Sequence, residues 1–148
     1  MASIPKLSAQ WKISFDVKPM EDWQGAEPRG LKVQSWSADD HLELNFGISF
    51  PHSNIRLCWN NGGTIVDMTS NQLPKLDEWT RIEISHLEEE GGNYFLSFSV
   101  GGKEVGRKGF ELGRNMTDVK IYHAMAHGLS GRRSQPGFIK GLLVFDKQ

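Results

Sequence analysis

The chain has 148 residues and a formal net charge of -1, from Lys+Arg 17 against Asp+Glu 18. That is the size of one domain with its own core, and it lacks the basic stripe that nucleic-acid binding requires. Cys58 is the only cysteine, which rules out an intrachain disulfide and a cysteine-built zinc site, and no apolar run approaches the roughly 20 residues of a membrane-spanning helix.

In chain order, MASIPKLSAQ lacks the hydrophobic core of a signal peptide. The expectation is a cytoplasmic protein or a domain excised from a secreted one; the sequon Asn115-Met116-Thr117 agrees with the second option. Trp11, Ile13, Phe15 and Val17 alternate with Lys12, Ser14, Asp16 and Lys18 up to Pro19, a half-buried strand. Met20 to Gly30 reads as a loop, and Leu31, Val33 and Ser35 as a strand running into Trp36. After a turn at Asp39-Asp40, Leu42, Leu44, Phe46, Ile48 and Phe50 form a long alternation. Pro51 to Asn54 turns the chain into Ile55, Leu57 and Trp59, all expected on an inward face. Asn60-Asn61-Gly62-Gly63 is the strongest hairpin signal, because Asn and Gly tolerate left-handed backbone angles. The return strand, Thr64 to Thr69, has Val66 and Met68 competing with Ile65, so its buried face is open.

The clearest pattern runs from Leu73 to Val105, read as a three-stranded antiparallel meander. Ile82, Ile84 and His86 share one face; beyond the polar tip Glu88 to Asn93, Tyr94, Leu96, Phe98 and Val100 resume the beat before Gly101-Gly102 reverses the chain. Gly109 to Asn115 is a connection and Val119, Ile121 and His123 mark a further strand. Ala126 to Gly137 is a long loop, and Phe138 to Phe145 is apolar on both faces, the pattern of a buried strand. Ten to twelve strands and no helix predict an all-β, antiparallel two-sheet sandwich with adjacent termini, the first and last strands pairing in one sheet. Trp11, Trp79 and Leu142 are among the expected core residues.

Four segments together resemble a known superfamily: the opening Trp-x-Ile-x-Phe-x-Val, Asp77-Glu78-Trp79-Thr80-Arg81-Ile82-Glu83-Ile84, Tyr94 to Val105, and the closing Gly137-Phe138-Ile139-Lys140-Gly141-Leu142-Leu143-Val144. The order is similar to that of the concanavalin A-like sandwiches, which include laminin G-like domains, pentraxins and galectins. The resemblance spans nearly the whole chain, so residues 1–148 are expected to be a single lectin-like jelly roll. It implies recognition of a glycan or glycoprotein, or adhesion. The galectin sugar-binding set and the Glu-x-Asp-x-x-Glu run of related hydrolases have no counterpart of the right spacing, so no binding residue is transferred.

The chemistry-bearing residues are few. Glu43 and Glu83 are the acids a glycosidase reading would need, but nothing in the sequence brings them together, and isolated acids on a strand's outer face are usually solvated. Cys58 with His52 or His123 carries no family signature for a dyad. Asp39 and Asp40, with Asn60, Asn61 and Asp67 near in sequence, offer oxygen ligands to calcium, while Asp and Asn also serve simply to cap turns. Trp23 and Trp36 are candidates for stacking on a pyranose, and Arg132 and Arg133, with His127, for an anionic group. The candidate ligand-binding set is therefore Trp36, Asp39, Asp40, Asn60, Asn61 and Arg132. The expected function is non-enzymatic carbohydrate recognition, without nucleic acid, membrane insertion or an obligate cofactor. A self-associating protein–protein module and a divergent glycoside hydrolase are the alternatives.

Overall fold

The computed structural model is built from strands, eleven of them among the described residues. The structure describes residues 2–19, 29–36, 41–49, 54–61, 64–70, 74–75, 77–110, 115–123 and 137–147. The strands are β1 (Ala2–Leu7), β2 (Trp11–Pro19), β3 (Arg29–Trp36), β4 (His41–Ser49), β5 (Asn54–Asn61), β6 (Thr64–Ser70), β7 (Thr80–Glu88), β8 (Tyr94–Val100), β9 (Lys103–Phe110), β10 (Met116–His123) and β11 (Gly137–Asp146). They form a six-stranded sheet, β1-β10-β3-β4-β5-β6, and a five-stranded sheet, β11-β2-β7-β8-β9, antiparallel throughout. This is the expected sandwich.

The core lies between the sheets. Trp11, Ile13, Phe15 and Val17 of β2, Ile82 and Ile84 of β7, and Leu96, Phe98 and Val100 of β8 meet Leu7, Leu57, Met116, Val119 and Ile121 of the other sheet. Each large apolar side chain withdrawn from water this way contributes roughly 1.5–3 kcal/mol before entropy is counted. Around the central hairpin, Gly91 and Gly92 adopt φ of 97° and 80°, and Gly101 and Gly102 φ of 59° and 84°, as the two predicted reversals demand. β2, the first strand read from the sequence, pairs with β11 as expected, but the N-terminal strand β1 pairs with β10 in the other sheet, so the terminal strands themselves do not share one.

Several expectations are corrected. β1 is an additional strand, hidden in the sequence because Pro5 and Lys6 interrupt its apolar signal; Leu7 is nevertheless buried. β3 begins at Arg29, two residues inside the expected loop, and Asn60 and Asn61 belong to β5 rather than to the turn. The open question in β6 resolves toward Met68, which packs on the core while Asp67 and Thr69 are exposed. Trp79 is not core: it is 42% exposed, in step with outward-facing Arg81 and Glu83, with Lys140 Nζ 3.9 Å from its ring centroid. β11 is not a buried strand either. It lies at the edge of its sheet, and Leu143 and Phe145 are 49% and 53% exposed.

Candidate functional site

The register fixes which connections gather at each end of the sandwich. Trp36, the last residue of β3, pairs with His41, the first of β4; Leu42 pairs with Asn61, and Asn61 with Thr64, the first residue of β6. The β3–β4 and β5–β6 hairpins are therefore neighbours at one end of the six-stranded sheet. Leu7 pairs with Met116 at that same end, which brings the β1–β2 and β9–β10 connections there too. Of the candidate residues, Trp36, Asn60 and Asn61 converge at this end. Asp39, Asp40 and Arg132 lie outside the described residues. The strands bracketing Arg132 finish at the opposite end, His123 opposite Leu31 and Gly137 opposite Pro19.

Pairing also sorts residues by face, because cross-strand rows alternate between the two sides of a sheet. Two rows belong to the core side: Ile121–Val33–Leu44–Trp59–Val66, anchored by buried Ile121, and His123–Leu31–Phe46–Leu57–Met68, anchored by buried Leu57. The intervening rows fall on the other face. One is Ser3–Lys120–Gln34–Glu43–Asn60–Ile65, ending in exposed Ser3; another is Tyr122–Lys32–Asn45–Cys58–Asp67, ending in exposed Asp67; a third is Gly30–Gly47–Arg56–Thr69, ending in exposed Thr69. Trp36, two residues beyond Gln34, continues this face, whereas Asn61 falls on a core-side row. Lys32, Asn45 and Arg56 join the face without having stood out in the sequence, although the alternation of Glu43 and Asn45 with Leu42, Leu44 and Phe46 already sets such positions apart from the core.

Register also separates the candidate catalytic partners. Glu43 belongs to β4 and Glu83 to β7, strands of different sheets, and Glu83 is held by Lys12 at 2.6 Å. Cys58 and His123 fall on rows of opposite faces. No group of three metal-ligating side chains occurs among the described residues.

The outer face of the five-stranded sheet is of a different character. Arg81 Nε binds Asp16 at 2.8 Å and its Nη1 donates to Ser14 Oγ at 3.3 Å, while the Ser85 and Ser97 hydroxyls meet at 2.9 Å. Together with the Lys12–Glu83 pair, these contacts engage its polar groups with one another. Between the sheets at the hairpin end, His86 is 1% exposed, stacked between Trp11 at 5.9 Å and Tyr94 at 5.3 Å. Its Nδ1 lies 2.6 Å from the Ala9 carbonyl, to which the neutral ring donates. Burial lowers the His86 pKa, partly opposed by that carbonyl bond. It is thus a neutral packing group rather than an acid or base exposed to substrate. Nearby, a cavity of about 370 Å³ is lined by Lys6, Ser8, Asn115 and Asp146. Asp146 Oδ1 accepts the Ser8 N–H at 2.9 Å, and Lys147 N donates to Gln10 O at 2.9 Å, so the end of β11 is tied to the β1–β2 connection.

No protein-family model matches the chain. No curated protein matches it at a significant level either. Solved structures do. A native heptameric SAP-like pentraxin from Limulus polyphemus is similar at 11% identity and TM-score 0.59, over 97% of this chain and 66% of that one, so this chain spans just under two thirds of the pentraxin's length. A variant of human galectin-16 is similar at 11% identity and TM-score 0.53, over 99% of this chain and 95% of that one. The carbohydrate-binding module CBM66 from Bacillus subtilis is similar at 9% identity and TM-score 0.51, over 97% and 76%. An alginate lyase from Chlorella virus shares the architecture as well. The fold is a concanavalin A-like jelly roll, one that carries both binding proteins and enzymes.

Proposed function

We propose that the chain is a non-catalytic carbohydrate-recognition module whose glycan site lies on the core-averted face of the six-stranded sheet, toward the end that bears Trp36 and Asn60. The observation that carries this reading is the register, which assembles Gln34, Glu43, Asn45 and Asn60 on that face with Lys32, Arg56 and Asp67 around them. A pyranose offers hydroxyls all round and one apolar face. It is matched by amides, acids and cations set around an aromatic platform, the role assigned to Trp36. Asp39 and Asp40, between Trp36 and His41 in sequence, are the reason to test for calcium. The likeness to a galectin over nearly the full length of both chains, and to a carbohydrate-binding module, supports the same class of ligand.

A non-catalytic role is supported by the acids themselves. A retaining glycosidase needs two carboxyls about 5–5.5 Å apart, and an inverting one about 6.5–9.5 Å. Glu43 and Glu83 stand on different sheets, and Glu83 pairs with Lys12 on the outer face of its own.

The test is a glycan array run with and without chelator, followed by titration of the best ligand against wild type and Trp36→Ala. Loss of a stacking platform weakens binding by about 1–3 kcal/mol, with the fold intact by circular dichroism. No glycan bound under either condition overturns the reading. Hydrolysis that disappears in Glu43→Gln replaces it with the glycosidase.

A further inference from the structure

Where an edge of one sheet meets an edge of the other, beside the β1–β2 connection, lie a motif and a cavity that the glycan-recognition role leaves unused. Asn115-Met116-Thr117 is the only Asn-x-Ser/Thr sequence in the chain, with a residue other than proline in its middle position. Met116 opens β10 and is 4% exposed, packed on the core opposite Leu7. Successive side chains leave opposite sides of an extended chain, so burying Met116 turns Asn115 and Thr117 outward, and both are exposed. One core anchor thus presents the amide and the hydroxyl together. Asn115 also opens onto the cavity of about 370 Å³. Its walls come from both sheets: Lys6 of β1, Ser8 of the β1–β2 connection and Asp146 of β11 bring an ammonium, a hydroxyl and a carboxylate. The Ser8–Asp146 bond and the Ser8 Oγ, 3.0 Å from the Lys147 carbonyl, hold these walls in place. A polar hollow at the small end of the range of ligand pockets suits one sugar ring. Lys6, Asn115 and Asp146 are all exposed, so the cavity opens to solvent and further sugars can leave it.

We propose that Asn115 is a site of N-linked glycosylation whose first sugar seats in this cavity. In the reaction Asn115 Nδ2 forms a bond to the anomeric carbon of an oligosaccharide carried on a lipid diphosphate. The anomeric C–O bond breaks, the diphosphate leaves with its electron pair, and the amide nitrogen gives up one proton. Seated in the cavity, the first sugar sets its hydroxyls among Lys6, Ser8 and Asp146, while the rest of the glycan adds bulk and polarity outside. The modification assigns the chain to the secretory route, the second of the two locations open from its sequence. It attaches a glycan rather than recognising one, so it is independent of the site on the six-stranded sheet.

The experiment is intact-mass and glycopeptide analysis of the full chain, both isolated from its own cells and expressed behind a secretion leader in eukaryotic cells. The expected result is one modified residue, Asn115, in each preparation, with the added mass removed by peptide N-glycosidase. Asn115→Gln and Thr117→Ala should abolish the modification, and Thr117→Ser, which keeps the hydroxyl, should retain it. Bare Asn115 in either preparation overturns the proposal, as does modification that survives Thr117→Ala. The seat is read by thermal unfolding after an endoglycosidase has trimmed the glycan to its first sugar. The midpoint should stay about 2–4 °C above that of the same chain made in bacteria, where Asn115 is bare. Equal midpoints overturn the seat, because a sugar that touches nothing stabilises nothing.

Discussion

The two edges of the five-stranded sheet are built alike and finished differently. Each has one extra residue in a bulge, β9 opposite Phe98 and Ser99 of β8, and β11 between Lys140 and Leu143. Each bulge has a glycine beside it, Gly106 or Gly141, and each edge lays a cation over an aromatic ring, Arg107 3.7 Å from Phe95 and Lys140 3.9 Å from Trp79. Yet β9 is fringed with charge, Arg107 bonding both Glu89 and Glu104, whereas β11 presents Leu143 and Phe145 to solvent. Bulges and cation–π contacts are common to both edges; charge is what differs between them.

The largest effect expected in this comparison falls under the β9 bulge. A Cβ at Gly106 would meet the Phe98 ring at 2.3 Å, a contact with a fully buried aromatic that cannot swing away. Phe98→Ala should cost about 3–5 kcal/mol by denaturant titration, and Gly106→Ala about 1–3 kcal/mol through overpacking. In the Phe98→Ala background the Gly106→Ala penalty should nearly vanish, because the atom it strikes is gone. Equal costs for Gly106→Ala in both backgrounds would mean the glycine is needed for its backbone and not for the ring.

Between the edges, the centre of the sheet titrates. Burial holds His86 neutral between Trp11 and Tyr94, so its folded pKa is lowered while the unfolded chain protonates near 6.5. As pH falls below about 6.5 the unfolded chain takes up the proton first, so stability drops until the folded pKa is also passed. Above about 6.5, where neither state takes up the proton, the contribution is complete. Thermal midpoints measured from neutral to acidic pH should show this slope, and His86→Phe should flatten it even with a lower baseline. A slope that survives His86→Phe belongs to other groups.

These contrasts are unevenly legible in the sequence. The β7–β8 hairpin can be read directly, because period-two alternation and paired glycines are local signals. Trp79 reads as core by residue type and position, although its parity with Arg81 and Glu83 points outward. β11 misleads for a deeper reason: apolar residues on both faces suggest a buried strand, and whether a strand sits at an edge depends on which distant segments pair with it. The candidate site has the same non-local character. Trp36 and Asn60 each stand out as residue types, but only the chain of pairings from β3 through β4 to β5 puts them on one face with Glu43 and Asn45.

A smaller effect separates the two bulge glycines. Gly141 has φ 61°, but a Cβ there would meet only Asp16 Oδ2, at 3.4 Å. Gly141→Ala should therefore cost about 1–2 kcal/mol, for the left-handed backbone alone, and no change at Phe98 should relieve it. Thermal unfolding of the single variant and of the double variant with Phe98→Ala reads this additivity.

The smallest change in stability should come with a qualitative change in behaviour. Glu104→Val with Arg107→Val removes one acid and one base, so the formal net charge is unaltered while β9 loses the charges that most separate it from β11. Both residues are exposed, and the contacts of Arg107 with Glu104, Nη1 to Oε2 at 3.6 Å, and with Glu89 are surface pairs of the kind that contribute about 0–1 kcal/mol. The lost cation–π contact over Phe95 adds about 0.5–1 kcal/mol at such an exposed site. Unfolding should shift by about 1 kcal/mol or less, within what β-branched residues regain in strand preference. Association should nevertheless change, since the outer face of β9 would then be apolar at positions 104 and 107, with Lys103 and Lys108 left as its edge charges. The change is read as larger species than those of the wild type in sedimentation. If the double variant sediments as the wild type does, edge charge is not what distinguishes β9 from β11, and the bulge geometry must be doing so.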